Sequence, residues 1–302
     1  MTPEKQPSKN ASGVTRRGAL QAAIATAAGA LAAPAFAEDS QPAALKGRIK
    51  QSLVSWCYTK HFGDEGLAKA AKSLGCQSVE LVDPKHWDML KKFGVTPAIG
   101  RSHGYTQGMN NPKYQEKCLS TIHDSIDRCA AVGIPSVITF TGMREDIPDD
   151  VGMDNCVKGY KQIIGYAEKK GITLCLEMLN SRHGVGFMQG HPGYQGDHTD
   201  YCIEICKRVG SERMKLLFDI YHVSIMDGDV ITRIRQHKDY IGHVHTAGNP
   251  GRGELDDKQE INYKPIMEAL IEVGYKGYVG QEFIPTRDPL QGLREAVALC
   301  DV

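Results

Sequence analysis

Lys170-Gly171-Ile172-Thr173-Leu174-Cys175-Leu176-Glu177 turns a helix into a strand within a single short segment. Residues 154–170 before it are of helix length, and Gly171 stops them, because glycine readily takes the left-handed conformation that ends helices. Residues 172–177 form a short apolar run closed by an acid, as expected of a strand buried on both faces. Val132-Gly133-Ile134 repeats the signal upstream. There Asn111 is a candidate N-cap, Pro112 suits the first helical position, and Leu119, Ile122, Ile126 and Cys129 recur at helical spacing. Outward from these two units, apolar runs recur at 53–57, 78–82, 95–99, 136–141, 215–219, 241–246 and 278–282, separated by helix-length stretches. Eight strand–helix units predict an α/β fold, a single-domain (β/α)8 TIM barrel over residues 38–302. A doubly wound sheet would carry a glycine-rich turn after its first strand, where this chain has Thr59-Lys60-His61-Phe62-Gly63. In a barrel, the less regular stretches 102–111 and 180–196 fall on the C-terminal rim, where active sites are built.

The 302 residues carry 36 Lys plus Arg against 36 Asp plus Glu. That balance argues against a nucleic-acid partner, which needs a basic face to displace counterions, and so against an endonuclease on this barrel. Residues 1–37 read as an export signal rather than a membrane anchor. Arg16 and Arg17 precede a short Ala-rich run, and Ala35-Phe36-Ala37 places small residues before Glu38. The segment resembles a twin-arginine signal, which implies the Tat export machinery as a partner, no stable membrane insertion, and a periplasmic or extracellular destination. Its removal takes four basic residues and one acidic residue and leaves a slightly acidic chain. The nine cysteines form no C-x-x-C pair and sit in apolar segments, so they read as small core residues rather than a disulfide framework.

Four late strands end in metal-ligand chemistry. They finish at Glu177, at Asp219, at His243-Val244-His245 and at Glu282. Adjacent barrel strands bring such ends together. Carboxylates with one imidazole suit Mn2+ or Mg2+, with Co2+ as a third fit, better than structural zinc. One histidine of the 243–245 pair is expected to share the face of the cluster, and periodicity alone does not say which. His183, His191 and His198 crowd the long loop after the fifth expected strand, where a second metal is not expected.

Phe218-Asp219-Ile220-Tyr221-His222 with Ile225-Met226-Asp227-Gly228-Asp229, and Pro250-Gly251-Arg252-Gly253-Glu254 with Glu260-Ile261-Asn262-Tyr263, resemble the hydroxypyruvate isomerases. These belong to the wider xylose-isomerase-like barrels of sugar isomerases and epimerases. The resemblance is good over residues 171–283. It implies one divalent metal held by Glu177, Asp219, His245 and Glu282, with Glu177 and Glu282 also moving the proton. His245 stands where close hydroxypyruvate isomerases carry Gln and ketose epimerases carry His. Met178-Leu179-Asn180-Ser181-Arg182 departs from the usual proline-containing version, and the 184–196 loop is insertion-like and a candidate lid.

The chemistry stands on its own as well. Interconverting a hydroxy-carbonyl compound removes a proton beside a carbonyl, and two carboxylates can take and return it. His222 is a candidate to bond a substrate oxygen, and Arg252 to hold a carboxylate or hydroxyl, with Glu254 as its orienter. The expected activity is isomerisation of a small hydroxy-carbonyl compound, with hydroxypyruvate giving tartronate semialdehyde. Epimerisation of a ketose or keto-sugar is the alternative within this chemistry. A non-catalytic sugar-binding protein is the alternative outside it, and a homo-oligomer is compatible with either.

Overall fold

A computed structural model describes residues 44–182 and 189–302. The signal segment and His183 lie outside the described residues. In chain order the elements are β1 (Lys50–Val54), α1 (Ser55–Ser73), β2 (Ser78–Glu80), α2 (Trp87–Lys92), α3 (Pro112–Val132), β3 (Ser136–Thr139), α4 (Asp149–Lys170), β4 (Thr173–Glu177) and α5 (Thr199–Val209). They continue with β5 (Met214–Asp219), α6 (Ile220–Met226), α7 (Val230–His237), β6 (Ile241–Thr246), α8 (Tyr263–Glu272), β7 (Tyr278–Gln281) and α9 (Pro289–Cys300). The seven strands are parallel and run in the order β2-β1-β7-β6-β5-β4-β3, a TIM barrel wall.

The run expected as the third strand is an irregular stave. Pro97 has no N–H to give to a ladder. Residues 95–100 therefore touch both edges of the sheet through isolated parallel bridges, Ser78 with Thr96 and Gly100 with Val137. Backbone bonds from Val79 N to Thr96 O (3.2 Å) and from Ile138 N to Gly100 O (3.0 Å) place this stave between β2 and β3. The first expected strand is also displaced. β1 stops at Val54, and Ser55-Trp56-Cys57 already belongs to α1. A short apolar run does not separate the end of a strand from the start of a helix.

The helix boundaries follow their caps. Asn111 accepts from Lys113 N at the start of α3, and α3 and α4 end on Gly133 and Gly171 at φ 78° and 72°. The outward strand residues Leu53, Val137, Leu174, Leu216, Val244 and Val279 join the helices in the main core. Inside the barrel, Val54, Ile99, Ile138, Cys175 and Leu217 form a smaller apolar layer. All nine cysteines are buried free thiols. Among the described residues, no helix is long and apolar enough to cross a membrane.

Candidate active site

Inward positions alternate with the main core along each strand, which lines up the site. On β4, Cys175 and Glu177 face inward, and on β5, Leu217 and Asp219. On β6 the inward pair is His243 and His245. Residues two apart in a strand share a face, so the expectation that only one of these histidines would do so is corrected. His243 lies beside Leu217 in the β5–β6 ladder, and His245 lies beside Asp219 at the mouth. Glu282 follows β7 directly, fixed by its N–H donating to Thr246 O at 2.9 Å.

Glu177, Asp219, His245 and Glu282 are each 5% exposed or less. One ligand atom from each lies within 4.8 Å of all the others. His245 Nδ1 is 3.1 Å from Glu282 Oε2 and 3.4 Å from Glu177 Oε1. Glu177 Oε1, Asp219 Oδ2 and His245 Nδ1 are buried without a hydrogen-bond partner. Buried, orphaned acceptor atoms converging on one point are costly unless a cation satisfies them. The donor set therefore fits a divalent metal.

Asp219 works in two directions. Its Oδ1 caps α6, accepting from Tyr221 N (2.8 Å) and His222 N (3.3 Å), which leaves Oδ2 for the cluster. Arg252 donates from Nη2 to Glu282 Oε2 at 2.6 Å and lies 3.7 Å from Asp219 Oδ2. Its guanidinium sits over the rings of Trp56 (5.2 Å) and Tyr221 (5.6 Å). Trp56 Nε1 donates to the other oxygen of Glu282 at 2.8 Å.

These contacts divide the carboxylates. Burial pushes Asp219 up to about 8, and the Glu282 charge adds to the shift. Burial also raises Glu177, with the nearby His245 ring opposing and the Glu282 charge adding. At Glu282 burial opposes ionisation, but Arg252, His245 and the Trp56 N–H outweigh it and hold the carboxyl well below its usual range. Two carboxylates with proton affinities driven apart are the usual arrangement of an acid–base pair.

The structure places the other expected residues differently. His222 is buried under the site rather than in the open cavity. Its Nδ1 accepts from Asn180 N (3.1 Å), and its Nε2 lies 3.6 Å from Asp219 Oδ2. Burial, then Arg252, lowers its proton affinity well below that of a free histidine. Glu254 does not orient Arg252. It accepts from Thr286 N and Oγ1 and from Arg287 N. His198 pairs with Asp227 at 2.6 Å, and among the described residues no metal-ligand cluster includes His191 or His198.

Sequence reasoning missed Glu80, Trp56 and the cavity role of His191. Glu80 is fully buried at the end of β2, with Oε1 3.0 Å from His245 Nε2 and Oε2 2.9 Å from His243 Nε2. Burial works against its charge, but the two histidines hold it at about 2. An acid inside the apolar run 78–82 was the available signal. A cavity of about 590 Å³ opens over the cluster, lined by Trp56, Arg101, Tyr105, Phe140, Glu177, His191, Arg252 and Glu282 among others. His191 is lowered to about 4 by burial, then by Arg252, so it is a neutral group in the cavity wall.

Residues 68–301 match the model of the xylose isomerase-like TIM barrel family. The chain belongs to that family. A 2-oxo-tetronate isomerase of Cupriavidus necator is 30% identical over 177 residues, covering 57% of this chain and 64% of the relative. The hydroxypyruvate isomerase of Escherichia coli K12 is 35% identical over 103 residues, covering 34% of this chain and 40% of the relative. The crystal structure of an AP endonuclease, family 2, from Brucella melitensis shares the fold, with a TM-score of 0.70 at 24% identity over 81% of this chain and 97% of that one. Both of these relatives of the xylose isomerase-like barrel carry isomerase names.

Proposed function

We propose that this chain is a metal-dependent isomerase of small hydroxy-carbonyl compounds, acting on hydroxypyruvate to give tartronate semialdehyde. The observation that carries the reading is the buried convergence of Glu177, Asp219, His245 and Glu282 at the C-terminal mouth of the barrel. Those four residues would hold one Mn2+ or Mg2+, with Co2+ a third fit to the donor set. When bound, such an ion supplies electrophilic stabilisation for negative charge developing on adjacent oxygens.

The remaining work falls to the chain's own side chains. The reaction removes a proton from C3 of the substrate, forms the C2–C3 enediolate and returns a proton to C2, while one hydroxyl proton passes from O3 to O2. Glu177, whose proton affinity is raised by burial, is the group placed to take up a carbon-bound proton. Glu282, held ionised, is the second proton-transfer group, and Arg252 and Trp56 fix its direction. His222 supports Asp219 from beneath. The test is solvent-deuterium exchange in the presence of Mn2+ over hydroxypyruvate, 2-oxo-tetronate and neutral ketoses. Incorporation into none of them would overturn the isomerase reading and leave sugar binding without chemistry.

A second reading, epimerisation of a ketose or keto-sugar, is favoured by one observation. The cavity falls within the roughly 300–1,000 Å³ range that buries drug-sized ligands, and its wall includes the half-exposed rings of Trp56 and Tyr105. A three-carbon acid fills little of it.

Arg252 separates the two. If it also reads a substrate carboxylate, Arg252→Gln lowers kcat/KM for hydroxypyruvate by about 2–4 kcal/mol. A neutral ketose loses about 0.5–1.5 kcal/mol from missing hydrogen bonds. Because Nη2 is already bound to Glu282, part of the loss is common to every substrate, so the ratio between substrates is the quantity to measure. Equal losses would make Arg252 only the partner of Glu282.

We also infer that residues 1–37 direct Tat export and that residues 38–302 form the exported barrel. Replacing both Arg16 and Arg17 by Lys is expected to leave the precursor inside the cell. Undiminished export of that variant by a cell with working Tat machinery would remove the pair as the signal.

A further inference from the structure

We propose that Glu80 is a positioning residue whose carboxylate fixes the ring of His245, so that Nδ1 is aimed at the point where Glu177, Asp219 and Glu282 converge and a cation would sit. The inference rests on the metal reading of that cluster and adds a fifth residue, outside the ligand set, that builds it.

Four observations carry it. First, Glu80 Oε1 lies 3.0 Å from His245 Nε2, within reach of a ring N–H, and Nδ1 is the nitrogen turned toward the cluster. A ligating imidazole generally donates its second N–H to a carboxylate in this way. Second, Nδ1 lies against Glu282 and Glu177 without a hydrogen-bond partner of its own. Third, the second oxygen of Glu80 lies 2.9 Å from His243 Nε2, an ion-pair contact outside hydrogen-bond geometry, so the carboxylate sits between the two imidazoles of a His-Val-His run on one strand. The two imidazoles stand 5.0 Å apart and nearly perpendicular, at 87°.

The fourth observation concerns room. Glu80 stands on β2 and His245 on β6, with β1 and β7 between them in the wall. Gly280 on β7 is the ladder partner of His245. A Cβ at Gly280 would lie 2.0 Å from Glu80 Oε1 and 2.9 Å from His245 Cδ2. The strand omits a side chain at the point where the carboxylate meets the ring. Polar packing without a role toward the site would explain the burial of Glu80, but it requires no free, aimed Nδ1 at the far side of His245.

The experiment is titration of the purified protein with Mn2+, followed by the electron paramagnetic resonance signal of the free ion. Glu80→Met removes the acceptor at similar length and is expected to weaken Mn2+ binding by roughly 10–100-fold, the usual cost of losing such an outer contact. Glu80→Gln keeps an acceptor oxygen and is expected to recover a large part of that loss. Circular dichroism of the metal-free variants checks folding. If Glu80→Met does not fold, Gly280→Ala displaces the same carboxylate from another strand and is expected to lower the affinity in the same direction. Wild-type affinity in a folded Glu80→Met or Gly280→Ala variant, or equal loss in the Met and Gln variants, overturns the assignment while the metal site stands. A wild-type protein without affinity for Mn2+ overturns the metal reading and the assignment together.

Discussion

Glu177→Gln and Glu282→Gln each slow proton exchange on the substrate by about 10²–10⁴-fold, the contribution expected of a positioned general acid or base. Glutamine keeps the length and one oxygen, so each variant isolates the proton-carrying function from the shape of the cluster. The two losses differ in origin. At Glu177 the raised proton affinity comes first from burial and then from the nearby Glu282 charge. Removing Glu282's charge therefore also makes Glu177 a weaker base, and the two substitutions combine non-additively. Glu282→Gln additionally strands Arg252, a buried cation that has Glu282 at 2.6 Å and Asp219 at 3.7 Å. Stranding one partner of a buried pair is strongly destabilising, by about 3–5 kcal/mol. The measurement is deuterium exchange per folded molecule, with thermal unfolding recorded beside it. Near-wild-type exchange in either folded variant would remove that glutamate from the proton path.

Asp219→Asn abolishes stabilisation by Mn2+ and changes how the metal-free protein responds to pH. Asparagine keeps the oxygen that caps α6, so helix initiation survives. Asp219→Ala also loses the cap, at about 1 kcal/mol. Asp219 holds its proton in the folded chain up to about 8, against 3.8 for an ordinary aspartate. A carboxyl raised in the folded state stabilises fully below its unfolded value and loses that contribution as pH rises through the folded one. Metal-free wild type is therefore expected to weaken, relative to Asp219→Asn, between about pH 4 and pH 8. The metal-free variant should therefore gain on wild type as pH rises across that range, each tenfold difference in proton affinity being worth about 1.4 kcal/mol. With saturating Mn2+ wild type is favoured instead, because only wild type gains binding energy. Unfolding curves of both proteins across that range, with and without Mn2+, decide it. Parallel curves in the metal-free series would show that the Asp219 carboxyl does not carry the burial cost assigned to it.

The site was legible where chemistry and strand ends coincide. Glu177, Asp219 and Glu282 each close an apolar run, and their meeting follows from the order of barrel strands. The stave at 95–100 was less legible, because an apolar run looks like a strand until the missing N–H of Pro97 is counted. Strand parity also bears on His243 and His245, since an alternating run puts both on one face. The rest depends on distances that no local pattern encodes. Glu80 meets His245 across two intervening strands, through space left by Gly280. The residue types of His222 and Arg252 mark them in the sequence, but Asn180 and Glu282 decide which way their nitrogens point.

The buried thiols have a consequence for handling the protein. Burial pushes Cys76, Cys175 and Cys300 up to about 12, so at neutral pH they carry almost no thiolate, the form that oxidises or reacts. Burial is accordingly expected to slow alkylation and disulfide exchange in the folded chain, while an opened chain offers nine accessible sulfurs at once. Labelling of these thiols then works as a clock for opening of the barrel. Refolding without a reductant becomes a race between closing the core and random cross-linking.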